Sequence, residues 1–189
     1  MKLALIGAGS AEFSLKLVRD LCLTQSLAGS VVHLMDIERP RLAAVHSLLD
    51  RFARELGADL EVESGTDRSE AMVGADFVVD TALTAPNSRL FEGWRLAEAL
   101  GYRHGGSLHV MHDEAFWINF FQLRFFESLV EDMLDICPDA WLIQAANPVF
   151  AGVTHLARRY PRAKVVGICH GFREVYALAD VLGLDRERL

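Results

Sequence analysis

The amino terminus joins an apolar strand, a glycine turn and a helical repeat within a short length of chain. Lys2–Ile6 is a short, mainly apolar segment that leads directly into Gly7 and Gly9. Apolar residues then recur at helical spacing: Phe13, Leu17 and Leu21. A first glycine permits the tight turn, and a second lets the backbone approach a pyrophosphate seated on the helix amino terminus. The stretch predicts a strand–turn–helix unit that binds a dinucleotide.

The next strand strengthens this prediction. The usual fingerprint has a third glycine, and Glu12 occupies its position here, so the turn alone is a weak indication. Residues 31–36 form a mainly apolar segment that ends in Asp36, where NAD-binding folds place a carboxylate that accepts from both ribose hydroxyls. A carboxylate would repel a 2′-phosphate, which favours NAD over NADP. The alternative role of Asp36 is a helix cap ahead of Arg41.

Strand and helix patterns alternate along the rest of the chain. Further strands are predicted at residues 60–62, 75–80, 141–146 and 164–168. Helices are predicted from Leu42 to a stop at Gly57, over 91–100, and over 116–136 with Phe121 and Phe125 packed in the core. This rhythm predicts an α/β fold with a doubly wound parallel sheet, a Rossmann-like NAD-binding domain. We expect residues 1–189 to form that one domain.

Composition excludes several classes of function. The formal charge is −7, from 26 acidic and 19 basic residues, and no basic run stands out, so nucleic acid is not an expected partner. No apolar run approaches the ~20 residues of a membrane span, and no export signal precedes the first strand. Three widely spaced cysteines offer no disulfide framework and fit a reducing compartment. We expect a cytoplasmic protein.

Polar residues follow the last two predicted strands. Asn147 precedes Pro148 after one strand, and Cys169 and His170 follow the other. Open α/β sheets bind ligands at the carboxyl ends of their strands, so we expect these side chains near the cofactor crevice. The alternatives are a turn-forming asparagine, a buried thiol and a helix-capping or core imidazole.

A loop predicted at residues 101–113 holds His104, His109 and His112. Three histidines in one loop suggest a metal site, but their spacing does not match ligation from one helix face. A flexible loop also holds ligands poorly. We retain only the possibility that one of them reaches a substrate.

Five short motifs occur together in this order and at these distances: residues 7–10, 34–36, 137–141, 147–148 and 167–170. Together they closely resemble the amino-terminal half of the family 4 glycoside hydrolases, which are NAD- and Mn-dependent glycosidases and an exception to two-carboxylate hydrolysis. Residues 147–150 and 167–171 look more like the uronic-acid branch, the α-glucuronidases and α-galacturonidases, than like the 6-phosphoglycosidases. The resemblance covers nearly the whole chain.

The resemblance implies roles for individual residues. By this resemblance, NAD would be held by Gly7, Gly9, Ser10 and Asp36. Asn147 contacts the sugar, Cys169 binds Mn²⁺, and His170 hydrogen-bonds a sugar hydroxyl. In the family's reaction, oxidation at sugar C3 by NAD acidifies the C2 proton, the glycosidic oxygen leaves by elimination, and water then adds. A divalent metal across O2 and O3 stabilises the developing enolate.

The sequence also departs from the family. The family's second metal-binding histidine and its base tyrosine lie beyond the Cys169–His170 motif, and this chain stops at Leu189. The catalytic residues are therefore unknown, and we expect the chain to supply the NAD-binding half without the carboxyl-terminal catalytic half. Faces that normally pack against that half would be exposed, which predicts a homo-oligomer.

Two alternatives remain at this point. A lactate- or malate-type dehydrogenase relative would share the glycine turn, the strand-end acid and the Asn-Pro pair. That alternative does not account for Cys169 and His170. A non-catalytic NAD-binding module is favoured by the length of the chain alone.

Overall fold

The computed structural model describes residues 1–84, 87–102, 116–169 and 172–185. Within these residues, six parallel strands form one sheet in the order β3-β2-β1-β4-β5-β6. The strands are β1 (Lys2–Ile6), β2 (Ser30–Met35), β3 (Leu60–Gly65), β4 (Phe77–Asp80), β5 (Trp141–Gln144) and β6 (Lys164–Gly167). This is the strand order of dinucleotide-binding folds, and it reverses direction between β1 and β4. The predicted fold class is confirmed.

Helices connect the strands and pack against the sheet. They are α1 (Ala11–Leu23), α2 (Arg39–Glu55), α3 (Arg68–Met72), α4 (Asn87–Ala99), α5 (Phe116–Ile136), α6 (Val149–Arg159) and α7 (Phe172–Leu182). A short 3₁₀ turn at Gln25–Leu27, which the sequence did not indicate, precedes β2. In the part of the chain that the structure describes, no helix is both long and apolar enough to cross a membrane.

The core has two halves, one on each face of the sheet. Successive side chains of a strand point to opposite faces. Leu3 and Leu5 of β1 therefore pack with buried residues of α1 and α2. Ala4 and Ile6 pack instead with buried residues of α3, α5 and α6. The central strand is thus covered on both faces, as a parallel sheet requires.

All six predicted strands are present: β1 has the predicted ends, and the other five differ at one or both ends by one to three residues. Strand β3 is longer than predicted, since Glu63 to Gly65 continue to pair with β2. Strand β5 is shorter than predicted and stops at Gln144. The reason is a contact with the neighbouring strand β4, because the backbone amides of Ala145 and Ala146 both donate to the carbonyl of Asp80, at 2.9 and 2.8 Å.

The predicted core face of helix α5 is wrong for Phe121 and is confirmed only in part for Phe125. Phe121 is 44% exposed, and Phe125 is only partly buried at the edge of the core. Among the aromatic residues of this helix whose burial is described, the fully buried one is Phe126, which shares one helix face with Gln122 and Val130. Aromatic residues occur all around this helix, so their spacing alone does not identify the buried face.

This packing predicts that Phe126→Ala destabilises the fold by about 3–5 kcal/mol, the usual cost of a cavity left by a buried phenyl group. The control is Phe120→Ala on the same helix, where the side chain is 63% exposed. We expect the control to change the free energy of unfolding by less than about 1 kcal/mol. Urea unfolding followed by circular dichroism measures both, and equal effects would contradict the assigned helix face.

Candidate functional site

The glycine turn after β1 packs closely against the loop after β4. Gly7 has a φ of +85°, and a Cβ built there would lie 2.7 Å from the Cα and N atoms of Ala82. Both the conformation and the lack of space require glycine. The amides of Gly7 and Ala8 each donate to the carbonyl of Met35 at 2.9 Å. The turn is therefore attached to the carboxyl end of β2 and touches the chain that leaves β4.

The second glycine brings the backbone against an acidic side chain. The Gly9 amide donates to Asp36 Oδ2 at 2.7 Å, and a Cβ built on Gly9 would lie 2.6 Å from that oxygen. Asp36 Oδ1 accepts from the Glu38 amide at 2.9 Å. Glu38, rather than Asp36, is the N-cap residue of α2. The predicted cofactor acid thus lies beside the predicted cofactor turn.

Ser10 completes this part of the site. It is the N-cap residue of α1, and its hydroxyl makes no capping hydrogen bond. The nearby Ser14 hydroxyl donates instead to the carbonyl of Ala8 at 2.8 Å, which fixes the turn from inside the helix. Backbone amides at a helix amino terminus attract anions, so the position suits a pyrophosphate.

A second set of polar residues lies at the carboxyl ends of β5 and β6. Asn147 and Cys169 both line a cleft of about 240 Å³, together with apolar side chains that include Val149 and Val153. A Cβ on Gly167, which also lines the cleft, would lie 2.8 Å from side-chain atoms of both valines. Cys169 is exposed, and the peptide bond between Asn147 and Pro148 is cis. Two predicted site residues therefore share one cleft.

Some predicted residues cannot be compared. His170, predicted to bind the sugar, and the loop residues His104, His109 and His112 lie outside the described residues. Across the described ranges, no group of three or more histidine, cysteine or acidic side chains is positioned to hold a metal ion. Cys169 is thus a single donor in the part of the site that can be seen.

A buried carboxylate lies between the two parts of the site. Asp80 ends β4 and is fully buried. Its Oδ1 accepts from the Ala82 amide at 2.9 Å, and its Oδ2 accepts from Gln144 Nε2 at 2.8 Å. Burial raises the pKa of this carboxyl group from 3.8 to about 7. The hydrogen bonds from Ala82 and Gln144 and the charge of Arg68 oppose that rise.

The loop after β4 is also held from helix α5. Gln122, fully buried, donates through Nε2 to the carbonyl of Ala82 at 2.6 Å. Its Oε1 accepts from the amide and the hydroxyl of Thr84, at 3.0 and 2.9 Å. The loop that touches the glycine turn is therefore fixed from two sides.

Comparison with known proteins decides the family. The model of the family 4 glycosyl hydrolases matches residues 2–183. The chain belongs to family 4 of the glycosyl hydrolases. An α-glucosidase from Erwinia rhapontici is 30% identical over 178 residues, which are 89% of this chain and 37% of the relative. An α-galacturonidase from Thermoanaerobacter italicus is 27% identical over 190 residues, which are 96% of this chain and 38% of the relative.

Solved structures agree with this family 4 fold. A 6-phospho-α-glucosidase from gut microorganisms, crystallised with NAD and Mn²⁺, superimposes with a TM-score of 0.81 at 16% identity. The match covers 98% of this family 4 chain and 42% of that protein. The chain therefore spans about two fifths of the length of the relatives described.

Sequence reasoning missed Asp80 and Gln122 as parts of the site. A signal for Asp80 was available, because it is an acid at the carboxyl end of an apolar strand, as Asp36 follows β2. No such signal was available for Gln122, because a polar residue within an aromatic helix is expected to face solvent until its neighbours are known.

Proposed function

We propose that this chain is the NAD-binding half of a glycosidase that acts on α-glycosides, with α-glucuronides or α-galacturonides as the substrate class. One observation carries the proposal. In a family 4 chain, the glycine turn with Asp36 and the cleft with Asn147 and Cys169 lie at the same edge of the sheet, because all strands run parallel. The uronic-acid preference is supported by the resemblance of residues 147–150 and 167–171 to that branch.

Gly7, Gly9, Ser10 and Asp36 fit NAD. A carboxylate has about four lone-pair positions, and the amides of Gly9 and Glu38 use two of those of Asp36. The others remain for the two ribose hydroxyls, whereas a 2′-phosphate would be repelled. NAD, when bound, supplies the reversible oxidation at sugar C3 that makes elimination of the glycosidic oxygen possible.

Asn147 is proposed to orient the sugar. Its side chain is partly buried in the cleft wall, so an amide there can donate to one hydroxyl and accept from another. His170 is proposed to add a hydrogen bond from the residue after Cys169. Residues of this kind bind and orient a sugar.

Cys169 is proposed to contribute a thiolate to Mn²⁺. The exposed thiol at the cleft can be reached by an ion. One thiolate is a weak site for a hard cation, so further ligands have to come from elsewhere. The described residues therefore fit the metal only in part.

Residues 1–189 are proposed to form one dinucleotide-binding domain that assembles into homo-oligomers in the cytoplasm. Large apolar side chains are exposed at the sheet edge, at Val166 and Ile168, and on helix α7 at Val181 and Leu182. Such surfaces favour association. The three cysteines are free, which suits a reducing compartment.

The first prediction concerns the cofactor. Asp36→Ala should weaken NAD binding by about 1–3 kcal/mol, the scale for a hydrogen bond to a charged group. Asp36→Ser should also relax the preference against NADP. Titration calorimetry measures both, and Asp50→Ala on helix α2, where the carboxylate is paired with Arg54, is the control. Unchanged NAD affinity in Asp36→Ala would refute the ribose assignment.

The second prediction concerns the metal. Cys169→Ser should lower Mn²⁺ binding at least about tenfold, because it removes the thiolate. Oxidation of the wild type should have the same effect. Electron paramagnetic resonance of free Mn²⁺ provides the readout, and Cys22→Ser, in helix α1, is the matched control. Equal binding by wild type and Cys169→Ser would rule out the ligand role.

The third prediction concerns turnover. We expect no nitrophenol from the chain alone with NAD, Mn²⁺, a reductant and 4-nitrophenyl α-glucuronide or α-galacturonide. Fusion to the carboxyl-terminal part of the Thermoanaerobacter italicus relative should restore release, and Cys169→Ser in the fusion should abolish it. Release by the chain alone would show instead that its own residues complete the site, with His104, His109 and His112 the first to be tested.

A further inference from the structure

Asp80 is connected to both parts of the site through different atoms. Its carboxylate accepts from the Ala82 amide at 2.9 Å and from Gln144 Nε2 at 2.8 Å. Its backbone carbonyl accepts from the amides of Ala145 and Ala146, at 2.9 and 2.8 Å. One residue thus supplies three acceptor atoms for four bonds at the carboxyl end of β4.

The bond to Ala82 leads to the glycine turn. Ala82 is the residue against which Gly7 packs, so closely that no Cβ fits between them. Thr81 adds a second connection, since its hydroxyl lies 3.0 Å from the carbonyl of Ile6 and 3.2 Å from that of Gly7. A shift of the Ala82 amide therefore has to move the glycine turn.

The bond to Gln144 leads to the cleft. Gln144 Nε2 also donates to the carbonyl of Ala146 at 3.1 Å, and Ala146 directly precedes Asn147. The Gln144 Oε1 atom is buried and has no hydrogen-bond partner among the described residues. The amide is thus held by its nitrogen alone, with a vacant acceptor on its other side.

We propose that Asp80 is a positioning residue. Its ionised carboxylate holds the glycine turn and the segment before Asn147 in the arrangement that binds NAD. This inference rests on the proposed NAD site. Asp80 is fully buried, so its side chain is closed off from a ligand bound at the surface. Its effect passes through Ala82 and Gln144.

The charge on Asp80 decides how these bonds are arranged. An ionised carboxylate accepts from both amides, whereas a protonated one becomes a donor at one oxygen. The protonated Asp80 carboxyl group can donate to Gln144 Oε1 if the side-chain amide of Gln144 flips. Turning over removes the bond from Gln144 Nε2 to Ala146. Protonation therefore loosens the segment before Asn147.

Among the described residues, Arg68 is the charged group that acts on Asp80. Its strand neighbours, Ile6 on β1 and Gln144 on β5, are uncharged. From helix α3 the charge of Arg68 lowers the carboxyl pKa, and Arg68 is itself paired with Asp132 of helix α5. Burial outweighs this attraction, so the group titrates at about pH 7.

Two properties then depend on pH in opposite directions. The folded-state pKa lies above the unfolded value, so the contribution of Asp80 to stability is greatest at low pH. It declines as pH rises from about 4 to about 7. NAD affinity should instead rise through about pH 7, because binding needs the ionised form. A side chain with a merely structural role would change both properties in the same direction.

The test measures NAD affinity by titration calorimetry from pH 6 to pH 8 in the wild type, Asp80→Asn and Asp76→Asn. Asparagine at position 80 is a neutral mimic of the protonated acid. We expect affinities of wild type and Asp80→Asn to converge at pH 6 and to differ by about tenfold at pH 8, the scale of a charge-assisted hydrogen bond. Asp76 precedes the same strand at the opposite sheet edge, where it accepts from the Lys2 amide, and Asp76→Asn should match the wild type.

Urea unfolding of the same proteins separates folding from positioning. Asp80→Asn should be at least as stable as the wild type at pH 8, since no charge is buried. Identical NAD affinity and pH profile in wild type and Asp80→Asn would overturn the inference. So would a loss of affinity that only follows a loss of stability. A wild type that binds no NAD at any pH would instead refute the proposed function.

Discussion

The close contact between the glycine turn and the loop after β4 is the constraint on which the site depends. A side chain on Gly7 would clash with the backbone of Ala82, and a side chain on Gly9 would displace the Asp36 carboxylate. Three segments that are distant in sequence, the glycine turn, the end of β2 and the loop after β4, are therefore in direct contact. The central strand β1, covered on both faces, holds them there.

Because of this contact, the two parts of the site at the carboxyl edge of the sheet are structurally connected. The turn binds β2 through the carbonyl of Met35 and touches the loop after β4 through Ala82. That loop is held in turn by Asp80 and Gln122. The proposed cofactor at the turn and the proposed sugar near Asn147 would thus be supported by one hydrogen-bonded network.

Much of the fold could be predicted from the sequence, because its signals are local. Strand–turn–helix patterns identified the six strands, and the strand-end acid identified Asp36 as a neighbour of the turn. Other features depend on contacts across the chain. The early end of β5 is caused by the carbonyl of Asp80, and the buried face of helix α5 is set by Phe126 against Gly152. Nothing in the spacing of residues along one element carries that information.

The two halves of the core differ in how far apart their members lie along the chain. On the α1 and α2 face, the buried residues among those described run from Leu3 to Leu49, and Val79 joins them from β4. On the other face they run from Ala4 to Leu156. Closing short loops costs less chain entropy than closing long ones, and contacts that are near in sequence form faster. During synthesis, the half that carries the glycine turn and Asp36 can therefore condense while the segments that build the cleft are still being made.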